Sequence, residues 1–228
     1  MQVTGAILAG GKSSRLGRSK LFQTVAGRPL IEWMIGRVEA ISKDVVVVVS
    51  DADTARSVEE SARTVGRQTR ATGACGVRVV QDLVEGCGPL GGIFTALTAS
   101  SSPRCLVVGC DMPFLRQELL EYLVLASHEY DAAVPRVGSF IEPLCAVYDR
   151  RCLPYFAEAV RHDEFQVGQA LRRVNTRFVE EAEIETLDPH HYSFFNVNTR
   201  AELETAREMA ADNPRLLAGL CERVKEKW

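Results

Sequence analysis

Five consecutive valines, residues 45 to 49, constrain the fold most strongly. A strand that is apolar at every position has two faces to bury, whereas a half-solvated strand alternates apolar and polar residues. Val3 to Leu8, Val77 to Val80, Cys105 to Cys110, Ala132 to Pro135 and Ile141 to Tyr148 also read as strands. Helical patterns separate them. From Pro29 to Ile41, the residues Leu30, Ile31, Met34, Ile35, Val38 and Ile41 recur at the three-to-four spacing that gives a helix one apolar face. Buried strands alternating with such helices predict a Rossmann-like α/β fold, a doubly wound and mostly parallel sheet with helices on both faces. In such sheets ligands sit at the carboxyl ends of the strands.

At 228 residues the chain is read as one domain over residues 1–210, followed by a helical extension over 211–228. Asp212, Asn213 and Pro214 break the tail, and Leu216, Leu217, Leu220 and Val224 share one face. That face is expected to pack on the body of the protein or on a second subunit of a homodimer. Residues 51 to 76 are polar and are read as a helix over 53–65, then a mobile loop carrying Gly66, Thr69, Thr72, Gly73 and Gly76. A net charge of −3 with interleaved signs offers no basic face for nucleic acid and no polybasic membrane anchor. The apolar runs are too short to span a bilayer, and Met1 to Val3 leads straight into a strand, so a cytoplasmic protein is expected. Seven cysteines, at 75, 87, 105, 110, 145, 152 and 221, form no CxxC pair, which predicts free and mostly buried thiols.

The chemistry concentrates where strands end. Leu8-Ala9-Gly10-Gly11-Lys12-Ser13-Ser14-Arg15-Leu16-Gly17-Arg18-Ser19-Lys20 follows the first strand. Glycines at 10 and 11 remove β-carbons that would hold phosphate oxygens off the backbone amides, while Arg15 and Lys20 supply cations for a triphosphate. A P-loop is the nearest competitor, because Gly11-Lys12-Ser13 ends like one, but its first glycine would be Ala6, inside the strand. Cys110-Asp111-Met112-Pro113 puts a carboxylate at another strand end, where Asp111 can hold Mg²⁺ or cap a helix. Gln81-Asp82 ends the third strand, and Gly86-Cys87-Gly88-Pro89-Leu90-Gly91-Gly92 follows; these glycines suit close ligand approach, a tight turn or close helix packing alike. Asn196 and Asn198 alternate in Phe195-Asn196-Val197-Asn198-Thr199, with Asn198 a ligand or a cap and Thr199 able to cap the next helix. His190 and His191 beside Asp188 are not expected to bind metal, since adjacent residues of an extended chain point to opposite sides.

In this order, the LAGGxSxRxGxxK loop, Gly88-Pro89-Leu90-Gly91-Gly92, Asp111-Met112-Pro113 and Asn196-Val197-Asn198-Thr199 resemble the molybdenum cofactor guanylyltransferase family of nucleotidyltransferases. Residues 141 to 148 resemble that family's acceptor-side strand. The resemblance covers the chain to about Ala210 and implies a sheet of the nucleotide-diphospho-sugar transferase type. It implies transfer of GMP from Mg·GTP to molybdopterin with release of pyrophosphate, and transient contact with proteins that mature molybdoenzymes. By position, Leu8, Ala9, Gly10, Gly11, Ser13 and Gly88 are implied at the nucleotide, with Asp82 at the nucleoside and Lys20 on phosphate. Arg15 is implied at the leaving pyrophosphate, Asp111 at the magnesium ion, and Gly92, Asn196 and Asn198 on the acceptor side. A sister cytidylyltransferase loop resembles LAAG where this chain has Leu8-Ala9-Gly10-Gly11, which makes Gly10 the residue that separates a guanine from a cytosine reading. A cytidylyltransferase, a transferase for another phosphorylated metabolite and a nucleotide-binding regulator without turnover are the alternatives. The sequence departs from the family at Arg200, where proline is usual, and in the length of 51–76.

Overall fold

The computed structural model describes residues 2–10, 17–68 and 76–217. Its first half runs β1 (Thr4–Leu8), a 3-10 turn (Gly17–Phe22), a small hairpin of β2 (Thr24–Val25) and β3 (Arg28–Pro29), and α1 (Leu30–Glu39). Next come β4 (Asp44–Val49), α2 (Ala52–Gln68), β5 (Gly76–Gln81), α3 (Gly88–Ala99), β6 (Arg104–Gly109) and α4 (Gln117–Ala126). The second half holds β7 (Ala132–Val137), β8 (Phe140–Ile141), β9 (Cys145–Asp149), α5 (Leu153–Arg161), α6 (Val167–Leu171), β10 (Thr176–Glu180), α7 (Glu181–Leu187) and α8 (Arg200–Asp212).

The main sheet has the order β10-β7-β9-β6-β1-β4-β5, with β8 paired to β7. β1, β4, β5 and β6 are mutually parallel, and β9 runs antiparallel to both β6 and β7. Leu8 faces Val48 on one side and Gly109 on the other, so β1, β4 and β6 end at one level of the sheet. This is the expected mostly parallel sheet, with β9 inserted antiparallel and the short β8 antiparallel to β7. The expected strand over Ile141 to Tyr148 divides in two. Pro143 has no N–H for a ladder, and a turn closed by Cys145 N–H donating to Glu142 C=O separates β8 from β9.

The valine run behaves as its composition dictates. Val45, Val47 and Val49 enter one core with Ile7, α1 and α4, whereas Val46 and Val48 enter another with Ala6, Leu8 and α3. All five are at most 1% exposed, and burying each contributes roughly 1.5–3 kcal/mol. Gly5 marks how closely α1 lies on the sheet, because a β-carbon there would come within 2.1 Å of Val38 Cγ1. A third apolar cluster joins Val25, Leu30, Phe114, Val197 and α8 to Leu216 and Leu217 of the 3-10 turn Pro214–Leu217. Buried Arg37 donates from Nη2 to Leu216 C=O at 2.7 Å. This end of the tail therefore packs on the body.

α2 begins as expected and runs three residues past 65. The loop expected beyond it falls largely on residues 69–75, and the tail beyond Leu217 with Leu220 and Val224, both outside the described residues. β10 and α7 were not anticipated. Among the described residues no helix is long and apolar enough to cross a membrane, and Cys87, Cys105, Cys110, Cys145 and Cys152 are free and buried.

Candidate functional site

The end of β1 delivers Leu8 and Ala9 buried and Gly10 exposed. Ala9 N–H donates to Val48 C=O, and Cys110 N–H donates to Leu8 C=O, so the ends of β1, β4 and β6 remain stitched together past the formal strands. Gly11, Ser13 and Arg15 lie outside the described residues. The chain is described again from Gly17, and the 3-10 turn there presents Lys20.

Lys20 is the hub of the arrangement. Its Nζ lies 2.9 Å from Asp111 Oδ2 and donates to Asn198 Oδ1 at 2.7 Å. Three motifs separated by 91 and 178 positions thus meet at one ammonium group. The Lys20 and Asp111 side chains are only 12% and 18% exposed, so this ion pair is poorly screened compared with one in open solvent. Asp111 does not cap a helix, because α4 starts only at Gln117 and its N-cap position is Arg116. The carboxylate folds back over the end of β6, where a β-carbon at Gly109 would meet Asp111 Oδ1 at 2.7 Å. Glycine at 109 is therefore what allows the carboxylate its place. A hard carboxylate is the donor chemistry that magnesium takes, usually one or two carboxylates completed by phosphate and water.

The asparagine segment is held from both ends. Val197, buried between the two asparagines, donates its N–H to Asp111 C=O at 2.8 Å. Asn198 and Thr199 donate their N–H groups to Glu202 Oε2, both at 2.7 Å, and Thr199 Oγ1 accepts from Glu202 N–H, completing a capping box at the start of α8. The Asn198 N–H bond is the largest reason that the Glu202 carboxyl titrates below its usual range. The side-chain cap therefore belongs to Thr199 and Glu202, leaving the Asn198 side-chain oxygen to accept from Lys20. Asn196 turns back to Phe194 C=O through Nδ2. On the far side, Asp188 is fully buried, accepts from Ser193 N–H at 2.7 Å and pairs with Arg116 at 3.3 Å, while Ser193 Oγ accepts from Arg116 N–H. The segments leaving Asp111 and approaching Asn196 are clamped to one another there.

Asp82 stands at the end of β5, its N–H donating to Val49 C=O. Its Oδ1 accepts from Thr95 Oγ1 at 2.7 Å, which fixes the carboxylate against α3. Gly88, with φ +57, opens α3 without any side-chain cap; Pro89 has no N–H and Gly91 N–H donates to Cys87 C=O, which leaves the Gly88 and Leu90 N–H groups of the first turn to meet an anion. Gly92 sits elsewhere, buried one turn inside α3, where a β-carbon would approach Leu8 Cδ1 to 2.9 Å. Close packing of α3 on β1 accounts for that glycine.

Glu142, not singled out by the sequence, lies in the turn between β8 and β9 and feels the Asp111 charge. Burial pushes its carboxyl above the usual range, and the neighbouring Asp111 charge adds to the shift. Cys110, beside Asp111, is pushed up to about 12 by burial and is no thiolate nucleophile.

Comparison with known proteins agrees with this geometry. Residues 5–181 match the family described as the MobA-like NTP transferase domain. A probable molybdenum cofactor guanylyltransferase of Pelotomaculum thermopropionicum is 40% identical over 215 residues, covering 93% of this chain and 96% of that protein. A molybdenum cofactor guanylyltransferase of Desulfosudis oleivorans is 30% identical over 206 residues, with coverages of 90% and 94%. The crystal structure of the molybdopterin-guanine dinucleotide biosynthesis protein A of Archaeoglobus fulgidus superposes with a TM-score of 0.72 at 27% identity, covering 92% of this chain and all of that one. With this match over most of its length, and with a lysine-carboxylate pair at the strand ends, the chain belongs to the MobA-like NTP transferase family of nucleotidyltransferases.

Proposed function

We propose that the protein transfers GMP from Mg·GTP to the terminal phosphate of molybdopterin and releases pyrophosphate. The observation that carries this reading is the meeting of Lys20, Asp111 and Asn198 at the carboxyl end of the sheet. The names of the relatives at 40% and 30% identity support the choice of base and acceptor.

The nucleotide lies along the ends of β1, β5 and β6. Leu8, Ala9 and Gly10 bound the base pocket, Gly10 and Gly11 let phosphate oxygens reach backbone amides, and Asp82 receives the nucleoside. Ser13 and the uncapped first turn of α3 at Gly88 add donors for the phosphates. Lys20 and Arg15 offset the charge of the triphosphate, Arg15 at the leaving pyrophosphate. Asp111 holds Mg²⁺, the hard cation that a single carboxylate plus substrate phosphates suits, and the ion would supply charge neutralisation at the phosphates. Lys20 pairs with Asp111, which puts its ammonium group beside the carboxylate that holds the ion, where it can also meet a phosphate oxygen.

The acceptor phosphate is already an anion, so the step requires no protein base. An acceptor oxygen attacks the α-phosphorus, the bond to the bridging oxygen breaks, and pyrophosphate leaves in line. Asn198, with Asn196, orients the acceptor, while Gly92 serves the packing of α3 on β1. Positioning and charge neutralisation carry the rate, as in phosphoryl transfers generally.

Pyrophosphate release with each of the four Mg·NTPs, with and without molybdopterin, tests the proposal. Release with GTP that depends on molybdopterin is the expected result. Preference for CTP would move the protein to the cytidylyl class, and no release with any nucleotide would reduce it to a nucleotide-binding protein or change its acceptor.

A further inference from the structure

Outside the strand ends, α7 and the turn that follows it gather three side chains of metal-ligating type. Ligand atoms of Glu181, Glu185 and His191 all lie within 4.8 Å of one another. Asp188, nearer to the histidine in sequence, is taken up by Arg116 and Ser193. We propose that Glu181, Glu185 and His191 form a second divalent-cation site, selective for a borderline transition metal such as Zn²⁺ or Mn²⁺ over Mg²⁺.

Two independent features call for a cation there. Glu181 and Glu185 stand four residues apart on one helix, a spacing at which like charges repel, and neither has an ion-pair partner among the described residues. His191 Nε2 is shut off from solvent with no hydrogen-bond partner, a state that costs roughly 1–3 kcal/mol in a neutral ring. A bound divalent ion offsets both carboxylates and gives imidazole a use for a lone pair. One nitrogen and two carboxylates suit zinc or manganese, whereas magnesium prefers oxygen donors and keeps its water. Donors about 2.1 Å from a shared ion sit at most about 4.2 Å apart, so a small rotamer change of exposed Glu185 closes the set. Glu181 is oriented already, since its Oε2 accepts from Gly138 N–H at 3.0 Å in the β7–β8 hairpin. The ion would tie α7 to the turn leading into Asn196 and Asn198, stiffening the acceptor side from behind.

The proposal does not depend on the base or acceptor assigned above. The test is calorimetric titration of metal-free, tag-free full-length protein with Zn²⁺, and separately Mn²⁺, in excess Mg²⁺ and without nucleotide. Wild type should bind one equivalent and melt at a higher temperature when loaded. Glu185→Gln and His191→Asn should each weaken binding at least tenfold and lose the thermal shift, whereas Asp111→Asn should bind as wild type does. Exposed Glu185 keeps the test open if His191→Asn folds poorly. Unchanged affinity in Glu185→Gln, no binding by wild type, or binding lost in Asp111→Asn would each overturn the proposal, the last by placing the ion beside Lys20.

Discussion

Among the described residues, a methyl group added at Gly10 would have the Ser50 backbone nitrogen as its nearest neighbour, at 3.5 Å, an ordinary contact. A melting temperature close to wild type is the expected result for Gly10→Ala, so that an effect on nucleotide choice can be read without a folding defect. If a purine needs the space that a β-carbon would fill, Gly10→Ala should lower kcat/KM for GTP by roughly five- to a hundredfold, about 1–3 kcal/mol of overpacking, while CTP stays level or improves. Paired kcat/KM values for GTP and CTP check this, and an equal loss for both would assign Gly10 to phosphate approach instead. The strand-end places of Gly10 and Asp111 were legible because a glycine and a carboxylate follow apolar runs there, and Lys20 was legible through the loop that begins at Gly10. Glu142 was not. It sits in a run that reads as continuous strand, and its relation to Asp111 exists only once Pro143 has broken that run into a turn.

The element that carries Asn198 depends on a cap. Thr199→Ala should destabilise the protein by about 1 kcal/mol, the usual loss for an N-cap hydroxyl, as measured by chemical denaturation. The same cap titrates. Because the folded-state Glu202 carboxyl lies below its ordinary value of 4.5, its contribution to stability is present above that value and is lost as pH falls through the lower folded-state value. Glu202→Gln should therefore flatten part of the acid limb of a stability-versus-pH curve. An unchanged limb would show that the Asn198 and Thr199 amides are satisfied otherwise. At this scale the sequence was legible where burial was two-sided, as in β1, β4 and β6. It was silent for β10, where Thr176, Arg177 and Glu180 surround one fully buried residue, Val179, since an edge strand has only a partial apolar face to display. α7 was missed for a related reason. Its seven residues bury only Ile184, too few for a helical period to emerge.

Across the whole molecule, the parallel sheet turns distant motifs into neighbours. Its order places β1 between β4 and β6, so the loop after residue 8 must meet the carboxylate after residue 109, a relation that strand patterns suggest and only pairing fixes. The third partner, Asn198, arrives because α8 and the residues before it pack in the cluster of Leu30, Phe114 and Leu216, which links the tail of the chain to the site. A single substitution tests whether this convergence is the catalytic centre. Asp111→Asn keeps an oxygen to accept from Lys20 but offers magnesium a neutral amide, and electrostatic stabilisation of this kind is worth several kcal/mol in the transition state. The measurement is the rate of pyrophosphate release at saturating Mg·GTP and molybdopterin, alongside the melting temperature. The expected result is a melt close to wild type with the rate down by about a hundredfold or more. An Asp111→Asn protein that melts normally and keeps most of its rate would contradict the account, because the ion would then be held by other groups and the meeting of Lys20, Asp111 and Asn198 would be a structural clasp.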